Sequence, residues 1–323
     1  MKALLLTAPN TLNLTEVEKP QVSKGKVLVK MAFAPVNPSD LSFLTGNYGL
    51  KKEMPVVPGL EGSGIVVEAG SGFLAKRLLG KRVACAAPNT GNGTWAQFML
   101  TDATKCVPLK EKVSLEQGSM LFVNPLTALA FIDKAKKNKA DLIVMNAGGS
   151  ALAAMVMELA KTIGITFLSI VRSAEGVKKL SEKCLVIDSG SVDFESELNA
   201  IGKKYNRAIF FDAVGGGDIP FRILNFLPER STMVIYGRLS LEKAILESGI
   251  MIFKNYFIEG FWLAKELANK SILRALLDTR KVQKLLSQGY ETNIAHTLPI
   301  ESFLDGIKEY QQNMSAGKVL LKL

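Results

Sequence analysis

ADLIVMNAGGSALAAMVMELAKTIGITFLSIVRS, residues 140–173, divides into four parts. Leu142 to Met145 is a short apolar run between charge and the Gly148–Gly149 pair, the pattern of a buried strand. Ala151 to Lys161 is rich in Ala, Met and Leu, which are good helix formers. Gly164 ends that helix, and Ile165 to Val171 gives a second, partly β-branched strand. Strand, glycine turn, helix and strand in about 30 residues is the size of one βαβ unit. The turn has the chemistry of a phosphate site. Glycines allow close backbone approach, and the N–H groups of Gly149, Ser150 and Ala151 lack acceptors inside the helix and share its positive dipole end. Set against G-x-G-x-x-G, the positions are Asn146, Gly148 and Ala151, and an ordinary tight βα turn would read similarly. A cofactor with a free ribose 2′-hydroxyl wants an acid about 20 residues further on. This chain has Val171, Arg172 and Ser173 there. The planar fork of Arg172 suits a 2′-phosphate, so NADPH is expected over NADH, against the alternative of a solvated strand-end Arg.

The chain has 323 residues, and two domains are the natural division. With 48% hydrophobic residues a packed protein is expected. No apolar run approaches the roughly 18 residues of a membrane span. The start, MKALLLTAP, reads as a strand, not a signal or transit segment, so a cytoplasmic enzyme is expected. Cys85, Cys106 and Cys184 are odd in number and far apart, without a disulfide framework or a CxxC zinc pair. His296 is the only histidine, which argues against Ser-His-Asp or Cys-His catalysis and against a zinc site of several imidazoles; no metal is expected. The net charge of +10 favours anionic partners. The basic residues alternate with acids and lack aromatic interleaving, which disfavours nucleic acid as a partner.

Residues 1 to 118 are β-rich: KVLVKMAFAPV, GSGIVVEAG, KRVACAAP and TWAQFMLT are short strands between Gly, Pro and Asn turns, as in a compact barrel-like domain. SLEQGSMLFVNPLTALAFI then has helical spacing interrupted at Pro125. Beyond the βαβ unit, Cys184–Ile187, Ala208–Val214 and Ser231–Tyr236 are further strands separated by helical patterns, which argues for a doubly wound parallel sheet. Ligands sit at the carboxyl ends of such strands, here Gly148–Ala151, Arg172, Val214–Gly217 and Tyr236–Leu239. After about Asn255 the pattern changes: NYFIEGFWLAKEL leads into long helical text, and the chain ends in the strand GKVLLKL. The expected division is 1–118, then a cofactor domain over 119–257, then a return to the first domain over 258–323.

These residues resemble the medium-chain dehydrogenase/reductase superfamily over essentially the whole chain. The resemblance implies a GroES-like β-barrel-type domain made from both chain ends with a Rossmann domain inserted. The zinc-free branch, quinone oxidoreductases and 2-enoyl thioester reductases, is the nearer likeness. It rests on PVNPSD (35–40), GNYG (46–49), VNPLTA (123–128), MVIYGRLS (233–240), IFKNYFIEGFWL (252–263) and the terminal GKVLL. Zinc alcohol dehydrogenases would carry Cys-His at Val36-Asn37 and His-Glu at Leu60-Glu61. Three departures stand out: NAGGSA lacks a third glycine, Arg238 replaces the enoyl reductases' Gly, and the tail is shorter.

The resemblance implies hydride donation from NADPH to the β-carbon of an enone or to a quinone, with Tyr48 assisting the carbonyl oxygen or delivering a proton. It places Asn37 and Trp262 at the substrate pocket. Asn124, Thr127, Gly148–Ala151, Arg172, Ser173, Val214, Gly215, Tyr236, Gly237, Arg238, Phe261, Leu263 and Lys318 fall to the cofactor. Plainer roles stand beside these: a turn-capping Asn37, an internal helix hydroxyl at Thr127, a core aromatic pair at Phe261–Trp262, a strand-end surface charge at Lys318. The expected partner is a small quinone, enone or enoyl thioester, with the chain pairing as a homodimer. An enoyl-CoA/acyl-carrier reductase is one alternative. A low-turnover NADPH-binding protein of crystallin or RNA-binding kind is another.

Overall fold

The computed structural model describes residues 1–323, the side chain of Ile272 excepted. Strands β1 (Lys2–Ala8) and β2 (Thr11–Glu16) form an antiparallel hairpin. Asn10 takes φ +62° at its turn, a conformation that Asn tolerates better than most residues. The alternating text that follows forms β3 (Lys26–Pro35), β4 (Glu61–Ala69), β5 (Arg82–Ala86), β6 (Phe98–Asp102) and β7 (Cys106–Pro108). β3 is long enough to serve two partners on one edge. Its first half pairs with β6 and its last residues with the terminal strand, while β4 runs along its other edge. Trp95, fully buried, anchors one core with Leu4, Leu6, Val36 and Phe303. A second core gathers Val27, Val29, Val83 and Cys85. Each such side chain contributes about 1.5–3 kcal/mol by leaving water.

The central strands are β8 (Leu142–Met145), β9 (Thr166–Val171), β10 (Leu185–Asp188), β11 (Ala208–Asp212), β12 (Thr232–Ile235) and β13 (Phe257–Gly260). They form a six-stranded parallel sheet in the order β10-β9-β8-β11-β12-β13, the doubly wound Rossmann arrangement. LIVM is apolar throughout, and AIFFD up to its last residue Asp212, because β8 and β11 are buried along their whole length. The helix Ala151–Lys161 has the expected bounds. Two readings are corrected. Pro125 does not interrupt a helix: it lies in the first turn of Val123–Lys137, where N–H groups have no acceptor within the helix and a missing one costs little. And β13 is a sheet strand where no strand was expected. It is four residues long and lies at the sheet edge, so tertiary pairing with β12 makes it, not a local pattern.

The chain then runs through helix Ile272–Ser287 to β14 (Ile294–Pro299), helix Phe303–Gln312 and β15 (Lys318–Lys322), which joins β14 to β3 in a seven-stranded sheet. One compact unit comprises Met1–Pro125 with Leu276–Leu323, the other Leu126–Ala275. These divisions fall later than 118/119 and 257/258; at the second, β13 belongs with the parallel strands. No helix among the described residues is long and apolar enough to cross a membrane.

Candidate functional site

In the parallel sheet, the carboxyl end of β8 runs into the glycine turn. A Cβ on Gly148 would lie 1.9 Å from Ser169 Oγ, so only glycine lets the turn close onto β9. Gly148 N–H donates to the Ile170 carbonyl at 3.0 Å. Ser150 caps the helix, its Oγ accepting from Ala153 N–H. Its own N–H donates to the Ala147 carbonyl and is not open to a ligand, which corrects one of the three expected donors. The N–H groups of Gly149 and Ala151 make no hydrogen bond among the described residues. Arg172 is exposed at the end of β9 and forms no ion pair among them. Ser173 Oγ caps the following short helix by accepting from Gly176 N–H. A tight cradle with two open amides and a free guanidinium fits a dinucleotide carrying a 2′-phosphate.

The ends of β11 and β12 carry a network that local sequence does not announce. Asp212, fully buried, accepts from the Asn146 amide and from the N–H groups of Val214 and Gly215. Asn146 Oδ1 in turn accepts from Ala213 N–H at 2.7 Å. Burial raises the Asp212 carboxyl above its ordinary range, and these hydrogen bonds pull the other way. Val214 and Gly215 therefore direct their N–H groups inward to Asp212. Asn146, read as a departure from the glycine fingerprint, joins β8 to β11. Phe131 stacks on Phe211 at 3.9 Å and meets Tyr236 and Phe261 edge-on at 4.9 and 5.0 Å. This aromatic set fixes the carboxyl ends of β12 and β13. Burial and the nearby Asp212 push the Tyr236 phenol far up, so it stays protonated. Gly237 packs against the Ala213 carbonyl, Arg238 is exposed, and Trp262 and Leu263 begin the helix after β13. Thr127 is buried and Asn124 half-buried, both in helix Val123–Lys137.

The GroES-like unit holds the remaining candidates in two places. Tyr48 lines a cavity of about 240 Å³ with Pro9, Phe43, Leu50, Lys52 and Met54. Asn37 is elsewhere, with 0% exposure at the N-terminus of helix Pro38–Leu44. Its Nδ2 donates to Glu61 Oε1 at 3.1 Å and its Oδ1 accepts from Lys318 Nζ. Asp40 accepts from Asn37 N–H at 2.9 Å and Leu60 N–H at 3.1 Å. Glu61 Oε2 accepts from Phe122 and Val123 N–H, so it caps helix Val123–Lys137. Asn37 caps helix Pro38–Leu44 and sits at the centre of a buried polar cluster. Lys318, 3% exposed, is no surface charge, because the cluster encloses its ammonium. Burial lifts Asp40 to about 7 against the Asn37 N–H, with Glu61 adding to the rise and Lys318 opposing it. Burial also raises Glu61 and lowers Lys318. Among the described residues no three His, Cys, Asp or Glu side chains are arranged to hold a metal. The cation beside these carboxyls is the lysine's own.

A GroES-like unit with a doubly wound sheet inserted in it defines a dinucleotide-dependent dehydrogenase or reductase. Residues 23–111 match the alcohol dehydrogenase GroES-like domain. The mitochondrial enoyl-[acyl-carrier-protein] reductase of Arabidopsis thaliana is 31% identical over 90% of this chain and 78% of its own length. A Mesorhizobium loti protein assigned as an NADPH:quinone reductase is 32% identical with TM-score 0.92, covering 100% of this chain and 98% of its own. A mycobacterial protein solved in complex with NADPH shares the fold at 20% identity and TM-score 0.82, with 100% of each chain covered. The chain belongs to the medium-chain dehydrogenase/reductase superfamily, in the zinc-independent branch of quinone oxidoreductases and enoyl reductases.

Proposed function

We propose that this NADPH-dependent oxidoreductase reduces quinones or α,β-unsaturated carbonyl compounds by hydride transfer. The cavity beside Tyr48 carries this reading: it sets one phenol among mostly apolar walls. Bound NADPH supplies the hydride. Gly149 and Ala151 N–H hold its diphosphate, and Arg172 its 2′-phosphate. The phenol of Tyr48 donates to the carbonyl oxygen, on which negative charge builds as the β-carbon is reduced. NADPH oxidation with a quinone, a small enone and an enoyl-CoA, each with the wild type and Tyr48→Phe, tests this. A fall in enone kcat of about 100-fold is expected, and an unchanged kcat on every active substrate would overturn the assignment.

The Arabidopsis relative favours a second reading, a dedicated enoyl thioester reductase. Enoyl-CoA turnover far above that of the other two acceptors would select it. Tight NADPH binding with no turnover would select a cofactor-binding protein instead. We further propose a homodimer in the cytoplasm. β13 ends the parallel sheet with an unpaired edge, and Phe257, Ile258, Ile252 and Phe253 are exposed on and beside it. A second copy pairing there across a two-fold axis would cover both the edge and the apolar side chains. Subcellular fractionation against mitochondrial markers tests the location.

A further inference from the structure

Between Glu68 and Asp102 the chain has no acidic residue, yet Lys76, Arg77, Lys81 and Arg82 all fall within FLAKRLLGKR, residues 73–82. This run forms the short helix Phe73–Leu78 and its exit. Two of its apolar side chains hold it down: Ala75 and Leu78 are buried in the core of Val27, Val29, Val83 and Cys85. Three others are left outside, with Phe73 78% exposed, Leu79 53% and Leu74 44%. Gly80 N–H donates to the Val66 carbonyl, and Val66 N–H to the Lys81 carbonyl. Those bonds lay the helix exit along β4, whose Ile65 and Val67 are also exposed. Gly25 N–H donates to the Ser71 carbonyl, which brings the turn of exposed Lys24 to the helix start.

Cations stand among these apolar groups. Phe73, Lys76 and Arg77 share one helix face by their spacing, and the Arg77 guanidinium lies 5.5 Å from the Phe73 ring centroid. Lys24, Lys76, Arg77 and Lys81 are exposed, and none forms an ion pair among the described residues. Of the acids on neighbouring strands, Glu68 is held by Lys19 at 2.5 Å, and Asp102 stands opposite Lys26 in the β3–β6 pairing. We propose that this face docks on a bilayer surface containing anionic lipids. A projecting phenylalanine with leucines beside it enters the acyl boundary, while lysine and arginine stems keep their charges at headgroup depth. Neither signal suffices alone: a few apolar side chains give marginal binding, and exposed cations give binding that salt screens. Together they make the two-part anchor of a peripheral protein. None of these residues lines the Tyr48 cavity, so the docking stands apart from the reduction proposed above.

Co-sedimentation of the full chain with phosphatidylcholine vesicles, with and without about one-third phosphatidylserine, tests this. Partition is expected to be at least about tenfold higher on the anionic vesicles and to fall as salt rises. Equal partition on both, or none on either, overturns the proposal. Two double variants follow, Phe73→Ser with Leu79→Ser and Lys76→Glu with Arg77→Glu, each checked for an unchanged thermal melt. Each is expected to bind at least about tenfold more weakly, while Leu304→Ser, at a comparably exposed leucine of helix Phe303–Gln312, keeps wild-type binding. Wild-type partition in both double variants overturns the proposal, because net charge alone then holds the chain to the vesicle. Binding to soluble polyglutamate with none to vesicles gives the face to an acidic protein. A change of mass by light scattering in the Phe73 and Leu79 double variant gives it to a second copy. Either result overturns the lipid assignment.

Discussion

Asp40 shows how a single side chain sets a pH dependence. Its folded value of about 7 lies above the ordinary 3.8, first because it is buried. The folded chain therefore binds more protons than the unfolded chain between these values. Stability from this group is fully present below about pH 4 and is lost as pH rises toward 7, by about 1.4 kcal/mol per unit. Asp40→Asn is expected to flatten that slope in urea melts from pH 4 to 7, and an unchanged slope would assign the dependence elsewhere. Burial raises Asp212 as well, but three donors hold its carboxyl. Asp212→Ala leaves the Asn146 amide and two backbone N–H groups unsatisfied, for an expected loss of roughly 3 kcal/mol or more. A loss under about 1 kcal/mol would mean that the donors find other acceptors. Neither residue stands out in the sequence. Asp40 lies in PVNPSD, quoted for its likeness to a family, and Asp212 reads as the polar end of an apolar strand.

The glycine turn and the edge strand are the elements on which function turns. Gly148→Ala would drive a Cβ into Ser169 Oγ and close to Ile170 N, which must push the turn away from β9. NADPH affinity is expected to fall at least about tenfold. Ser169→Ala in the same chain is expected to recover part of the loss, because it removes the nearest atom, and strict additivity would show that the two do not touch. The turn is legible in the sequence because glycine and a helix start are local signals. β13 is not, because four residues at an edge owe their extended form to β12. Phe257→Glu puts charge on that edge and is expected to turn the homodimer into a monomer by light scattering. A wild type that is already monomeric would remove the proposed pairing.

At the scale of the molecule, cofactor binding and stability are one equilibrium. NADPH at 100 times its Kd adds about 2.7 kcal/mol to the folded state if only the folded state binds it. Its melting point is expected to rise more with NADPH than with NADH. Arg172→Ala is expected to erase most of that difference, since exposed Arg172 is the cation at the end of β9. An undiminished preference would move recognition of the 2′-phosphate to another group.

The sequence by itself determined the β-rich beginning, the alternating strands and helices of the centre, the return of the chain end to the first unit and the glycine turn. Each is a pattern of near neighbours: apolar periodicity, glycine, and the composition of short runs. Only the tertiary structure decided that Lys318 and Asn37 meet, 281 positions apart, that Glu61 caps a helix beginning at Val123, that Asn146 links two strands, and that β13 is a strand at all. These depend on which groups lose water together. A buried carboxyl, amide or ammonium takes its meaning from the partner that replaces that water, and no local run of residues names the partner.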